Sequence, residues 1–82
     1  MLKLINIKLN SKTIEADYVP EDSRQSAHIT LNIDSEEYKA EEIEEYGPTY
    51  SRMAANGLLR TLEELRAGRI KDAPESRTVM WY

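Results

Sequence analysis

The sequence contains no cysteine and no phenylalanine, one histidine, one tryptophan, and only three glycines and three prolines among 82 residues. Without cysteine there are no disulfides, no zinc–thiolate sites and no thiol nucleophiles. Such a small chain must then hold together by packing alone, which suits a reducing compartment, so the cytoplasm is the expected address. The three glycines lie ten or eleven positions apart, too sparse for a loop that cradles phosphate. The lone histidine, His28, sits mid-strand facing away from Ile29 and Leu31. No strained nucleophile elbow or Ser-His-Asp pattern accompanies it. No long apolar run exists either: Lys3, Asn6 and Lys8 interrupt the N-terminal one, which reads neither as a signal peptide nor as a membrane span. These absences together predict a protein that is not an enzyme and has no cofactor or metal.

What is present is ordinary for a globular chain, with 40% apolar and 32% charged residues, a balance that argues against wholesale disorder. The length predicts one domain, residues 1–82, large enough for a single core. The net charge of −4 is unevenly placed. Residues 1–33 balance to zero. Residues 34–46 carry seven acids against Lys39, and residues 47–82 carry six bases against four acids. The acidity therefore belongs to one segment, and the C-terminal part is mildly basic.

Period-two alternation marks the strands. Ile5, Ile7 and Leu9 alternate with Asn6 and Lys8, and Ile14, Ala16 and Tyr18 alternate with Thr13, Glu15 and Asp17. Asn10-Ser11-Lys12 is the turn between them. Leu2 and Leu4 are out of phase with Ile5, so the first strand either carries a bulge or starts late. Pro20 ends the second strand. Ala27, Ile29, Leu31 and Ile33 alternate with His28, Thr30 and Asn32, the cleanest strand in the chain.

Residues 34–46 admit two readings. A turn at Asp34–Glu37 followed by a strand would let Tyr38 and Ala40 continue the inward face. A helix is the alternative, because Asp34 and Glu37 have capping-box spacing. Helical geometry would scatter Tyr38, Ala40, Ile43 and Tyr46 around the circumference, so the strand is preferred, with its glutamates suited to an exposed edge that discourages pairing.

Gly47-Pro48 is the strongest punctuation, and proline fits the first turn of a helix. Tyr50, Met53, Ala54, Gly57, Leu58, Thr61, Leu62 and Leu65 then recur at three- and four-residue steps, which predicts an amphipathic helix over 48–67. Leu59 is the apolar misfit, and Gly68 is a natural C-cap. Gly57 within this helix either permits close approach to the sheet or marks a kink. Its place on the apolar arc favours close approach. Beyond the polar stretch Arg69–Glu75, Val79 and Trp81 alternate with Thr78, Met80 and Tyr82, a final strand rich in β-formers.

The acidic stretch before Tyr46-Gly47, the helix start Tyr50-Ser51-Arg52-Met53-Ala54 and the end Thr78-Val79-Met80-Trp81-Tyr82 resemble short bacterial proteins of unknown function carried by phages and other mobile elements. The resemblance covers the second half of the chain and implies no activity, cofactor or site residue.

The sequence thus predicts an α+β domain with a mainly antiparallel sheet of four or five strands on one helix, in the order β-β-β-(β)-α-β. The expected function is a small non-enzymatic protein-interaction module, alone or as a homodimer. Its candidate surface comprises Glu41, Glu42, Glu44, Glu45, Trp81 and Tyr82. The alternative is a nucleic-acid-associated regulator using the basic C-terminal half. Net charge, and Glu63 and Glu64 interrupting the helix's polar face, argue against direct contact with nucleic acid. No membrane partner is expected.

Overall fold

The computed structural model describes residues 1–21, 24–43 and 48–79. The elements run β1 (Leu2–Leu9), β2 (Thr13–Pro20), β3 (Ala27–Asn32), β4 (Tyr38–Ala40), α1 (Pro48–Arg66) and β5 (Arg77–Val79). All five strands form one antiparallel sheet in the order β4-β3-β2-β1-β5. The first four strands pair with their neighbours in the chain. Helix α1 then crosses one face and carries the chain to the far edge, where β5 pairs with β1. This is the α+β fold that the periodicities imply.

The β1–β2 hairpin is closed by Asn10, whose side-chain oxygen accepts the backbone N–H groups of Lys12 at 2.9 Å and Thr13 at 2.8 Å. That is the local chemistry that makes asparagine a turn residue. Within β1 the register slips between the pairs Ile5↔Asp17 and Lys8↔Glu15, so Asn6 and Ile7 together oppose Ala16. This is a β-bulge, and Asn6 takes the left-handed conformation (φ 53°) that asparagine tolerates better than most residues. The bulge accounts for the broken phase of the strand. Leu2, Leu4 and Ile7 are buried, whereas Ile5 is half-buried and pairs with the outward-facing Asp17. Ile5, Ile7 and Leu9 therefore do not share one inward face, as simple alternation suggested. The extra residue reverses the alternation after Ile5, and Leu9 at the strand end is 45% exposed.

Asn6→Ala is expected to lower stability by about 1–2 kcal/mol, since alanine lacks the short polar side chain that lets asparagine adopt this φ and the amide hydrogen bond to Asp17 is lost with it. Asn6→Gly should lose clearly less, because glycine adopts this φ freely. Denaturant midpoints measure both. Equal losses would assign the whole cost to the hydrogen bond.

After β3, Asn32 repeats the device: its Oδ1 accepts the N–H groups of Asp34 (2.9 Å) and Ser35 (3.0 Å). The backbone closes the turn through Glu36 N–H to Asn32 O (2.8 Å) and Asn32 N–H to Glu37 O (2.8 Å). The following segment forms β4, so the strand reading of Tyr38–Ala40 holds over the helical one. β4 lies at the sheet edge, where its charged flanks are tolerated.

Helix α1 starts at Pro48 and is continuous to Arg66. A Schellman-type cap closes it. Gly68 adopts φ 72°, its N–H reaches Leu65 O, and Arg69 N–H reaches Glu64 O. The buried residues are Ser51, Ala54, Ala55, Gly57, Leu58, Thr61 and Leu62, with Tyr50, Met53 and Leu65 half-buried at the margins. The stripe is that of the sequence, rotated slightly toward Ser51 and Ala55. Between helix and sheet lie Leu2, Leu4, Ile14, Tyr18, Ile29, Leu31 and Leu58, each at most 1% exposed. Gly57 is a point of close approach: a Cβ there would lie 2.6 Å from Val79 Cγ2 and 3.0 Å from Leu4 Cδ1.

Candidate interaction surfaces

The acidic segment is tied to the sheet at its start. Glu41 N–H donates to His28 O (2.9 Å) and Glu41 Oε1 accepts His28 N–H (2.9 Å), extending the β3–β4 pairing by one residue. The Tyr18 hydroxyl, from the buried face of β2, donates to Glu41 O, and Ile43 is buried at 4% exposure. The Ser51 hydroxyl lies 2.8 Å from Glu42 Oε1 and 2.9 Å from Pro48 O, so Glu42 sits at the first turn of α1, where a carboxylate suits the positive end of the helix dipole. Both residues are exposed, yet each carboxylate has one oxygen engaged within the molecule. Glu44, Glu45, Trp81 and Tyr82, the remaining candidates from the sequence, lie outside the described residues.

Tyr38 joins this surface, and the sequence reading did not single it out. Its side chain is on the helix-facing side, in register with the buried Leu31. It is nevertheless 40% exposed, because α1 packs over β1, β2, β3 and β5 and leaves the rim of the sheet open. Asp34, Glu36 and Glu37 precede β4 and Glu41 and Glu42 follow it, all exposed. Two cations lie among them: exposed Lys39 in β4 itself, and Arg66, which donates to Ile33 O (2.6 Å) and sits 3.9 Å from Glu36 Oε2.

The face of the sheet opposite α1 carries a polar chain across three strands. Asn6 Nδ2 on β1 donates to Asp17 Oδ2 on β2 (3.1 Å). Asp17 Oδ1 lies 2.9 Å from His28 Nδ1 on β3. His28 Nε2 lies 3.8 Å from Glu15 Oε2. The hydrogen bonds from His28 and then Asn6 hold the Asp17 carboxyl below the usual carboxylate range, and the charges of His28 and Lys8 act in the same direction. Alternation already placed Glu15, Asp17 and His28 on one face. Their contacts depended on strand register and on the bulge that aims Asn6.

At the opposite edge, β5 is anchored to the helix. Arg77 donates to Thr61 Oγ1 (2.9 Å) and pairs with Glu64, whose carboxyl the guanidinium holds below its usual range. Among the described residues, no three His, Asp or Glu side chains converge to hold a metal ion. No described helix is long and apolar enough to cross a membrane. Comparison with known protein families, with curated proteins and with solved structures finds no match to this chain.

Proposed function

We propose that this protein is a small non-enzymatic interaction module that docks a basic protein partner at the β4 edge. One observation carries the reading: β4 is an edge strand with a 40%-exposed tyrosine at its start and exposed acids on both flanks. An aromatic side chain with a polar rim is the usual form of an energetically dominant contact. Acidic groups around it steer a basic partner and fix its orientation. The free side of an edge strand offers backbone groups to an incoming segment. A cytoplasmic address fits the cysteine-free chain, and carriage on a mobile element belongs to the same proposal.

The test is affinity capture from host extract at low and physiological salt, with the wild type and with a Tyr38→Ser/Glu37→Lys variant whose fold is verified by circular dichroism. A basic partner retained by the wild type, lost with added salt and lost in the variant is the expected result. Equal capture by both forms would refute the docking site.

A second reading, self-association through β5, is favoured by the position of that strand at the other edge of the sheet. Light scattering that gave a strict monomer at high concentration would remove it. A nucleic-acid-associated role for the basic C-terminal half has weaker support, since Arg66 and Arg77 are paired with Glu36 and Glu64.

A further inference from the structure

We infer that the partner binds by strand addition: an extended segment pairs antiparallel with β4 as a sixth strand of the sheet, with the order basic, apolar, acidic, apolar, basic along its length. This rests on the docking reading above and adds to it the mode of binding and the partner's pattern. The hydrogen-bond frame of the edge carries it. Asn32 N–H donates to Glu37 O, and Glu41 N–H donates to His28 O. Bonded and non-bonded pairs alternate along an antiparallel ladder, so Thr30↔Lys39 is the bonded pair between these two. Tyr38 and Ala40 then stand in non-bonded pairs, and the N–H and C=O groups of both point away from β3. Among the described residues no other strand pairs with β4. Such an edge is a template for one more strand.

The frame has fixed ends. Glu36 (φ 62°) turns the chain just before it, and the Tyr18 hydroxyl holds Glu41 O at its far end, so residues 37–41 are the whole window. Alternation puts the side chains of Tyr38 and Ala40 on the helix side and those of Glu37, Lys39 and Glu41 on the other. Residues directly opposite each other on one face stand about 5 Å apart. Partner residues opposite Glu37 and Glu41 are therefore basic, and the one opposite Lys39 is acidic. Those opposite Tyr38 and Ala40 are apolar, the first of them packing on the exposed tyrosine ring. The same charge order turns away a second copy of this chain. Antiparallel pairing of two β4 strands about Lys39 sets lysine against lysine and Glu37 against Glu41, like charges directly opposite. Pairing about Tyr38 or Ala40 leaves a single bonded pair inside the window.

The experiment titrates the capped peptide acetyl-Gly-Lys-Val-Glu-Val-Lys-Gly-amide into isotopically labelled protein and follows the amides by NMR. Saturable shifts along β4 are expected, with slowed exchange at the Tyr38 and Ala40 amides and none added at Lys39, whose N–H already faces β3. Methylating the backbone nitrogens of both peptide valines removes the donors that face β4 and should weaken binding by about tenfold. Methylating that of the central glutamate, which faces water, should leave the affinity unchanged. Glu37→Lys, with its fold checked by circular dichroism, should weaken binding by about threefold or more. A glutamate in place of the peptide's second lysine should restore it, because antiparallel pairing sets that residue against position 37. Binding indifferent to valine methylation would overturn strand addition and leave charge-steered docking of a basic partner standing. Absence of saturable shifts would also overturn strand addition, while capture from host extract judges the docking site by itself.

Discussion

Gly57→Leu is expected to unfold the domain or to leave it molten at room temperature. The helix axis is held close to the sheet at this position: a Cβ alone would stand 2.6 Å from Val79 Cγ2 and 3.0 Å from Leu4 Cδ1. Val79 is β-branched and belongs to a strand, and Leu4 is fully buried in the adjacent one. Leu4 has no exposed side to move toward, whereas Val79, half-buried in the edge strand, can yield only in part. Overpacking by a few carbons costs about 1–3 kcal/mol in cores that can adjust, and more where they cannot. A small domain has a total stability of about 5–15 kcal/mol, so three further carbons at this contact consume much of the margin.

Gly57→Ala sets two terms against each other. Alanine gains about 1 kcal/mol of helix propensity over glycine, while its single methyl must displace Val79. The expected net result is a loss of about 1 kcal/mol, far smaller than for leucine. Val79→Ala in the Gly57→Ala background should recover part of that loss, because the two positions share one contact and their effects are not additive. Thermal melts of the four proteins of the cycle decide the matter. Strict additivity, or equal losses for alanine and leucine at position 57, would show that close approach is not what the glycine serves.

The second large effect is expected at Tyr18. It is fully buried, and its ring fills the core beneath α1 while its hydroxyl reaches Glu41 O. Tyr18→Ala should cost about 3–5 kcal/mol, the range for removing a buried aromatic ring. Tyr18→Phe isolates the hydroxyl. It leaves the Glu41 carbonyl without its donor and should cost about 1–2 kcal/mol, with faster amide exchange concentrated in Glu41 to Ile43.

The same residue gives a pH signature. Burial, reinforced by the negative charge of Glu42, raises the Tyr18 hydroxyl above its ordinary value of 10.0. A folded-state value above the unfolded one means that the folded protein holds its proton longer. Stability from this source is therefore fully present below about pH 10 and is lost as pH rises through the folded-state value. Urea midpoints measured across that range should fall steeply in the wild type and less steeply in Tyr18→Phe. Parallel profiles would place the alkaline loss on other groups.

These two positions also show how much the sequence revealed. Gly57 was legible as a close approach because it lies on the apolar arc of α1, but its partner was not, since Val79 and Leu4 meet it only when β5 pairs with β1. Tyr18 was legible as inward-facing from alternation. Its bond to Glu41 joins residues 23 apart and could not be read locally.

The candidate site divides in the same way. Glu41 and Glu42 were identified as acidic and exposed, which local charge density shows, but their internal partners His28 and Ser51 come from other elements. Tyr38 was read as inward by phase, and the phase is correct. Its exposure follows from where the helix ends its coverage of the sheet.

The sequence by itself determined the elements, because strand and helix periods, the Asn10 turn, Pro48 and the Gly68 cap are consequences of local sterics and of which side chains avoid water. It also signalled the defect in β1, through the clash in phase between Leu4 and Ile5. Only the tertiary structure decided the strand order, the edge positions of β4 and β5, and the meeting of Asn6, Asp17, His28 and Glu15 on one face. Those outcomes depend on register between strands and on the path of α1 across the sheet. Both are set by the simultaneous packing of residues far apart in the chain, and no local pattern encodes them.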